Sequence, residues 1–340
     1  MFGILSYGYY IPRFRIKTED IASVWGKNST DIIHSLAVKE KSVAGIDEDS
    51  LTMAYESSSM ALKSSKVKKK NIKTVFFGSE SPPYAVNPAS TTLAHFLGIE
   101  EQYLASDMQF ACKAATGGII IASGLIASGF TKNALVVASD KATGRPHDAL
   151  EYTAASGSVA LLLGKTNLAV RIIDMTSYSS DTPDFWRREG IRYPSHSGRF
   201  TGKPSYFHHI FQASTLILKK NKMKPTDFAY AVFHMPNGTF PLKVGSMLGF
   251  TERQISPSLV VNTLGNSYTA SGLMGLVSVL EIAKTNDYIY FASYGSGAGS
   301  DAFILQVTSK LQKIKHEFKS AMENKEYINY AHYLRCMEII

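Results

Sequence analysis

Four side chains able to do acyl chemistry stand beside apolar runs of the sequence. Cys112 lies in "FACKAATGG", at the head of a long run of small and apolar residues. Glu80 follows the apolar residues Val75 to Phe77, in "GSESPPYAVNP". His234 ends "YAVFH" and precedes "MPNG", and Asn266 lies in "LGNSYTAS". A thiol can hold an acyl group as a thioester. An imidazole and an amide can stabilise an oxyanion. A carboxylate can take a proton from the carbon beside a thioester carbonyl. Together the four suit acyl transfer coupled to carbon–carbon bond formation. Taken singly, each has a plainer reading: a packed core thiol, a solvated loop acid, a hydrogen-bonded structural histidine, and a helix N-cap.

These residues need rigid elements to bring them together, and the sequence supplies them twice. "CKAATGGIIIASGLIASG" followed by "ALVVASD" matches "NSYTASGLMGLVSVLEIA" followed by "YIYFASYG". Setting Cys112 against Asn266 also aligns Gly118 with Gly272, Ala138 with Ala292 and Ser139 with Ser293. Each copy reads as a buried helix and then a strand, followed by another apolar strand, "GSVALLL" or "SDAFILQV". Upstream stand matching strands, "KTVFFGSE" and "AYAVFHMPN". Amphipathic helices precede them, near Asp49 to Ser65 and Phe207 to Lys220. The pattern predicts an internally duplicated α/β fold with strands covered by helices. One half spans 1–165 and the other 166–310, with a tail over 311–340 expected to be helical. The polar and aromatic stretch Tyr178 to Phe207 is long for a structureless connection and rich in rings, so it is expected to be a functional loop. A pseudo-twofold relating the halves would set Asn266 opposite Cys112.

Composition removes several other classes. The 340 residues are 45% hydrophobic and 19% charged, enough for a large core and unlike a disordered chain. Two cysteines make no disulfide framework and fit a reducing, cytoplasmic setting. The start of the chain lacks a basic n-region and meets Pro12 and Arg13 early, unlike a signal peptide. The uncharged stretch Ala114 to Thr131 is too rich in Gly, Ala, Ser and Thr for a lipid-facing span and is expected to be a buried core helix. The net charge of +8 is concentrated in "KSSKVKKKNIK" and "KLQKIKHEFK". These runs read as a solvated basic face or as an attractor of phosphorylated ligands. No nucleic-acid motif accompanies them. "YGSGAGSDA" is an incomplete dinucleotide fingerprint with a strand after it, so its glycines are expected to admit backbone close to a ligand.

The motifs together resemble the 3-hydroxy-3-methylglutaryl-CoA (HMG-CoA) synthase family, in its short archaeal form, within the thiolase superfamily. The resemblance is carried by "GSESPPYAVNPAST", "FACKAATGG", "RPHDALEYTAASG", "DTPDFWRREGIRYPSHSGRFTGKPSYF", "VFHMPNGTFP", "GNSYTASGLMGL" and "SYGSGAGSDAF". It implies a five-layered α-β-α-β-α fold with two mixed sheets around buried central helices. It implies that Cys112 is acetylated by acetyl-CoA, that Glu80 deprotonates the acetyl methyl, and that His234 polarises the ketone of acetoacetyl-CoA. Water would then release HMG-CoA, in the mevalonate route to isoprenoids. Asn266, Ser296 and Thr153 match positions that contact the acyl chain. Arg199 and Thr201 match CoA and acyl contacts in the long loop, and Asn28 and Ser29 match weaker substrate positions. Thr239 stands where the family has a lysine, and Lys243 where an arginine is common. Both would meet CoA phosphates, and Lys243 lacks the bidentate fork. The resemblance also implies a homodimer and a complex with acetoacetyl-CoA thiolase and a small OB-fold bridging protein. It implies neither cofactor nor metal, since the CoA thioesters are substrates, and neither a nucleic-acid nor a membrane partner.

Three alternatives remain at this level. A ketoacyl synthase III-like enzyme also uses Cys, His and Asn, but decarboxylative condensation needs no base at Glu80. A non-catalytic scaffold of a thiolase complex has no need of the four side chains. Nucleic-acid binding rests on charge alone.

Overall fold

The computed structural model describes residues 2–340, apart from the side chain of Arg199. Nine strands form one mixed sheet. They are β1 (Gly3–Tyr10), β2 (Ile72–Gly78), β3 (Leu104–Met108), β4 (Asn133–Lys141), β5 (Ser156–Gly164), β6 (Val170–Thr182), β7 (Tyr230–Phe233), β8 (Tyr288–Ala292) and β9 (Gly297–Val307). The order across the sheet is β7-β8-β9-β6-β1-β5-β4-β2-β3. Among the described residues, the first-half strands β1 to β5 and the second-half strands β6 to β9 pair only at Gly3–Arg171 and Ile4–Val170. Two half-sheets are thus joined by a short antiparallel seam.

Helices follow the same order in each half. The first half carries α1 (Ser50–Ser65), α2 (Ala89–Phe96) and α3 (Ala114–Ser128), and the second carries α4 (His208–Asn221), α5 (Thr239–Leu248) and α6 (Ser271–Ile282). Asp49 starts α1 by accepting from the backbone N–H of Leu51 and Thr52, which satisfies donors left free at a helix start. In the second half a short helix, Val261–Leu264, takes the place of β3.

The layers follow from the two-residue repeat of the strands. Phe76, Val136 and Leu161 face a central core shared with Ile119, Ala122, Leu273 and Leu276 of α3 and α6. Their neighbours Phe77, Val137 and Leu162 face the other way, onto Leu51, Ala54 and Leu62 of α1. In the second half, Phe233, Tyr290 and Ile304 face Ile210, Ala213 and Ile217 of α4. Helix, sheet, helix pair, sheet and helix make the five expected layers.

Three features differ from the sequence reading. The first is the uncharged helix. The stretch Ala111–Ser128 is long and apolar enough to cross a membrane by length and composition, with half of it buried. Its other face is open, with Ile121 47% exposed, because nothing in one chain covers it. The second is the long connection: β6 continues to Thr182, and Phe185–Trp186 pairs with Ser195–His196 before the turn Thr201–Phe207. The third is the tail, which is not all helix. Glu326–Tyr327 pairs with Phe14–Arg15 of the strand Phe14–Lys17, itself paired with Glu40–Val43, and the helix Tyr330–Cys336 follows.

Candidate active site

Strand β2 ends at Gly78, where a Cβ would fall 2.5 Å from the backbone nitrogen of Ala115. Only glycine lets the strand end abut the start of α3. Glu80 lies two residues further on, its carboxyl near enough to the Cys112 thiol for each to shift the other's proton affinity, with an Oε1 that has no hydrogen-bond partner among the described residues. Ala111 adopts a left-handed φ of 43°, turning the chain sharply just before the cysteine. Cys112 packs on Ala142, Ala154 and Tyr268, as does Phe185. A cavity of about 260 Å³ opens here, lined by Glu80, Ala142, Phe185, Arg187, Arg192 and Tyr268 among others.

The charge state of this pair departs from a simple helix-activated thiolate. Burial, then the Glu80 carboxylate, push the Cys112 thiol well above its ordinary range. Lys113 adds no free charge, because its ammonium pairs with the buried Asp301 at 3.2 Å. The resting nucleophile is therefore a thiol with the Glu80 carboxyl group beside it. Burial, then repulsion from Asp140, push Glu80 up to about 8, against the lowering effect of the neighbouring Cys112 thiol and of Arg187. That value lies close to the pH at which a general base works best near neutrality.

Asp140, at the end of β4, is fully buried. Its Oδ1 accepts from the backbone N–H of Glu80 at 2.7 Å and of Ser81 at 3.0 Å, and from the hydroxyls of Ser79 and Ser81 at 2.9 and 2.7 Å. Its Oδ2 accepts from the N–H and the hydroxyl of Thr269 at 2.9 and 2.7 Å. One carboxylate thus ties the Glu80 loop to the loop that carries Asn266.

Asn266 is buried, and its backbone N–H donates to the Thr153 carbonyl at 2.7 Å. Its side-chain oxygen accepts the N–H of Tyr268 at 3.0 Å, but the helix α6 begins after Ala270, so Asn266 is not its N-cap, and the amide NH₂ is the end left to donate. Thr153 is also buried, its hydroxyl turned to the Leu150 carbonyl at 3.4 Å. Cys112, Glu80, Thr153 and Asn266 therefore share one locality, with Tyr268 at its centre.

His234 follows β7, is 1% exposed, and has an Nδ1 with no partner among the described residues. Burial pulls its imidazole down to about 3, so the ring is neutral at physiological pH. It makes no hydrogen bond to Cys112 or Glu80 among the described residues. The two meet through the backbone: His234 N–H donates to the Ala292 carbonyl at 2.9 Å, and the next residue, Ser293, hydrogen-bonds Thr116 on α3 at 2.7 Å. Beside His234, the Tyr294 ring lies 6.3 Å away, and its hydroxyl donates to Asp184 at 2.8 Å and contacts Ser205 and Ser296.

The remaining sequence candidates fall outside this cluster. Lys243 is exposed, with its ammonium 5.1 Å from the Phe207 ring centre. The Thr239 hydroxyl is engaged by Asn237 at 2.9 Å at the start of α5. Thr201 has a buried hydroxyl without a partner among the described residues. Asn28 is exposed, and its side chain caps the helix Ser29–Leu36 by accepting from Thr30 N–H at 2.9 Å, which gives it and Ser29 a local role in the free protein. The Arg199 side chain lies outside the described residues.

The basic runs do not serve this site. Lys66, Lys68, Lys310 and Lys313 converge on a groove of about 860 Å³ that also touches Asn71 and Asn133, at the starts of β2 and β4. Glu80 and Asp140 lie at the opposite ends of those strands. The sequence reading missed Asp140, Asp184, Asp301 and Tyr268. The available signal was an acid closing an apolar strand, in "ALVVASD", or following a glycine run, in "GSGAGSDA".

Comparison with known proteins places the arrangement. A model of the family described as 3-oxoacyl-[acyl-carrier-protein (ACP)] synthase III matches residues 106–181. The hydroxymethylglutaryl-CoA synthase of Methanosarcina mazei is 48% identical, over 98% of this chain and 97% of its own. That of Archaeoglobus fulgidus is 45% identical, over 98% of each chain. The fold matches a solved HMG-CoA synthase complexed with CoA, with a TM-score of 0.88 at 23% identity over 98% of this chain and 89% of that one. It also matches MvaS in complex with 3-hydroxy-3-methylglutaryl coenzyme A, with a TM-score of 0.90 at 22% identity over 99% and 91%. Near-complete coverage at this identity settles the family: the chain belongs to the hydroxymethylglutaryl-CoA synthases.

Proposed function

We propose that the protein condenses acetyl-CoA with acetoacetyl-CoA and water to give HMG-CoA and CoA, in the mevalonate route to isoprenoids. The observation that carries this reading is the Cys112–Glu80 contact within a chain of this family. A decarboxylating condensing enzyme would not need a base there.

The first step joins Cys112 sulfur to the acetyl carbonyl and breaks the acetyl–CoA bond. Because the resting group is a thiol, Glu80 takes its proton and passes it to the departing CoA sulfur. Acetyl-Cys112 then presents a methyl group to the same carboxylate. Glu80 removes a methyl proton, and the resulting enolate attacks the ketone carbon of acetoacetyl-CoA. The neutral His234 ring donates a hydrogen bond to the ketone oxygen as charge develops, and the Asn266 amide NH₂ is a second donor in the acyl site. The new alkoxide regains the proton held by Glu80. Water cleaves the Cys112 thioester and releases HMG-CoA, so atoms and protons balance. Thr153, Ser296, Thr201 and Arg199 are assigned to acyl and CoA contacts. Thr239, Lys243, Asn28 and Ser29 are assigned to the outer substrate path. Besides water, the scheme requires only the CoA thioesters.

A homodimer suits the open faces described above. Strand β3 is a sheet edge with Leu104 38% exposed, and Met108 connects it to α3 beneath the open Ile121 face. An uncovered edge strand invites pairing with a second copy. The functional units are taken as 1–165, 166–310 and 311–340, in a cytoplasmic enzyme that works with acetoacetyl-CoA thiolase and an OB-fold bridging protein.

Both half-reactions report on Glu80. Glu80→Gln incubated with acetyl-CoA should accumulate little or slowly formed acetyl-Cys112 and no HMG-CoA. Mass spectrometry of the intact protein reads the adduct. Undiminished HMG-CoA formation by this variant would remove Glu80 from the mechanism.

A further inference from the structure

Buried charge lies one layer behind the acyl site, and the mechanism above does not use it. Glu151 is fully buried and Lys41 is 1% exposed. The Glu151 carboxylate accepts from Tyr330 Oη at 2.8 Å, Trp25 Nε1 at 2.9 Å and the His147 backbone N–H at 2.8 Å. The Lys41 ammonium donates to the Glu151 carbonyl and lies 3.1 Å from Tyr333 Oη. The neighbouring Glu40 carboxylate accepts from Lys325 at 2.5 Å and Tyr327 Oη at 2.7 Å. Four residues of the C-terminal segment, Lys325, Tyr327, Tyr330 and Tyr333, thus close on two adjacent residues of one strand and on Glu151. Groups of this kind are costly to bury unless every partner is in place.

The network leads straight to the site. Glu151 stands two residues before Thr153, whose carbonyl holds Asn266 N–H at 2.7 Å, and Ala155 N–H returns a bond to the Asn266 carbonyl at 3.0 Å. The crossing has no slack. Gly265 has a φ of +74°, and a Cβ there would fall 2.7 Å from the Cβ atoms of both Lys41 and Ala155. Ala154, between Thr153 and Ala155, is part of the surface on which Cys112 packs. A shift of Glu151 is therefore handed to Thr153, Asn266 and the wall beside the nucleophile.

We propose that the C-terminal segment, acting through Tyr330 and Tyr333 on Glu151 and Lys41, is a positioning element for the acyl-site wall formed by Thr153 and Asn266. The inference rests on the HMG-CoA synthase reading of that wall. The segment touches no substrate. It fixes the backbone from which the wall is built, and so sets affinity for the second acyl substrate rather than the chemistry at Cys112.

The test compares Tyr330→Phe, Glu151→Gln and the double variant in the full-length protein, at a temperature where circular dichroism shows each folded. Tyr330→Phe keeps the ring packed on Trp25 and deletes one hydrogen bond to a buried carboxylate. Loss of such a bond predicts a rise of about tenfold in the KM for acetoacetyl-CoA. The rate of acetyl-Cys112 formation from acetyl-CoA should be unchanged. The two substitutions should be non-additive in KM, as expected for residues in one network. Should Glu151→Gln not fold, Tyr327→Phe, at the half-exposed end of the network, takes its place with a smaller expected rise. An unchanged KM in a folded Tyr330→Phe protein, with only thermal stability lowered, overturns the proposal. Titration calorimetry with acetoacetyl-CoA reads the same shift without turnover. Failure of the unmodified protein to make HMG-CoA would thus count against the function and leave the positioning readable.

Discussion

Glu80 and Asp140 are bound backbone to side chain, the Glu80 N–H donating to Asp140 Oδ1 at 2.7 Å. Asp140 thereby does two things at once. It fixes the loop that aims Glu80 at Cys112, and its charge raises the proton affinity of the Glu80 carboxylate. Through Oδ2 it holds Thr269 as well, so both halves of the chain are registered on one buried group.

Asp140→Asn tests this double role. An amide cannot accept on both ends, so the Thr269 or the Glu80–Ser81 donors lose a partner. A buried donor left unmatched costs about 1–3 kcal/mol, which denaturant unfolding would read as a lower midpoint at unchanged slope. Loss of the charge should also move the pH profile of condensation towards lower pH. A profile that stays in place would confine Asp140 to a structural role.

The Glu80 value sets the pH dependence. Condensation needs the carboxylate ionised, so kcat/KM should rise with pH and level off above about 8. Acetylation of Cys112 removes the free thiol whose proximity lowers the Glu80 value, so the limb seen in kcat should lie no lower than that in kcat/KM.

Stability should follow the same group with the opposite benefit. Glu80 is raised from 4.5 to about 8 on folding, so the folded state binds the proton more tightly than the unfolded state. Its contribution is full below about pH 4.5 and is lost as pH rises through about 8. Glu80→Gln should therefore melt several degrees higher than the unmodified protein at pH 9, with the gap closing below pH 4.5. Equal melting temperatures at pH 9 would show that the carboxylate is better solvated than its surroundings indicate.

Much of this arrangement is legible in the sequence. Cys112 and Asn266 stand at equivalent points of a repeat whose helix and strand order recurs in space, and Glu80 follows a strand that only Gly78 lets run up to α3. The charge states are not legible. Lys113 reads as a cation beside the nucleophile until the fold brings Asp301 from nearly 190 residues away to neutralise it. The role of Asp140 is equally hidden, because its donors come from two loops that the sequence holds far apart. The open face of α3 could not be read either, since periodicity shows that a helix is apolar and not which copy of the chain covers it.

The Lys113–Asp301 pair gives a separate check. Both side chains are buried, at 7% and 0% exposure. Asp301→Ala strands the ammonium, deprives Ser177 of its acceptor and removes one of the partners of Thr116. Removing one partner of such a pair costs about 3–5 kcal/mol, measurable by urea unfolding. A loss below about 1 kcal/mol would match a solvent-screened pair instead.

Thiol reactivity tests the nucleophile. Cys336 is buried and Cys112 is only partly so, so iodoacetamide should modify Cys112 first. Because its thiol is pushed up by burial and by Glu80, labelling should be slow at pH 7 and still accelerating at pH 9. Fast labelling with a plateau near neutrality would mean a preformed thiolate.

The central claim is the identity of the product. The purified protein is incubated with acetyl-CoA and acetoacetyl-CoA, and the CoA thioesters are separated and weighed by mass spectrometry. HMG-CoA should form in step with released CoA thiol, and none should form with the Cys112→Ala protein. Thiol release with no HMG-CoA, or HMG-CoA formed without Cys112, would contradict it.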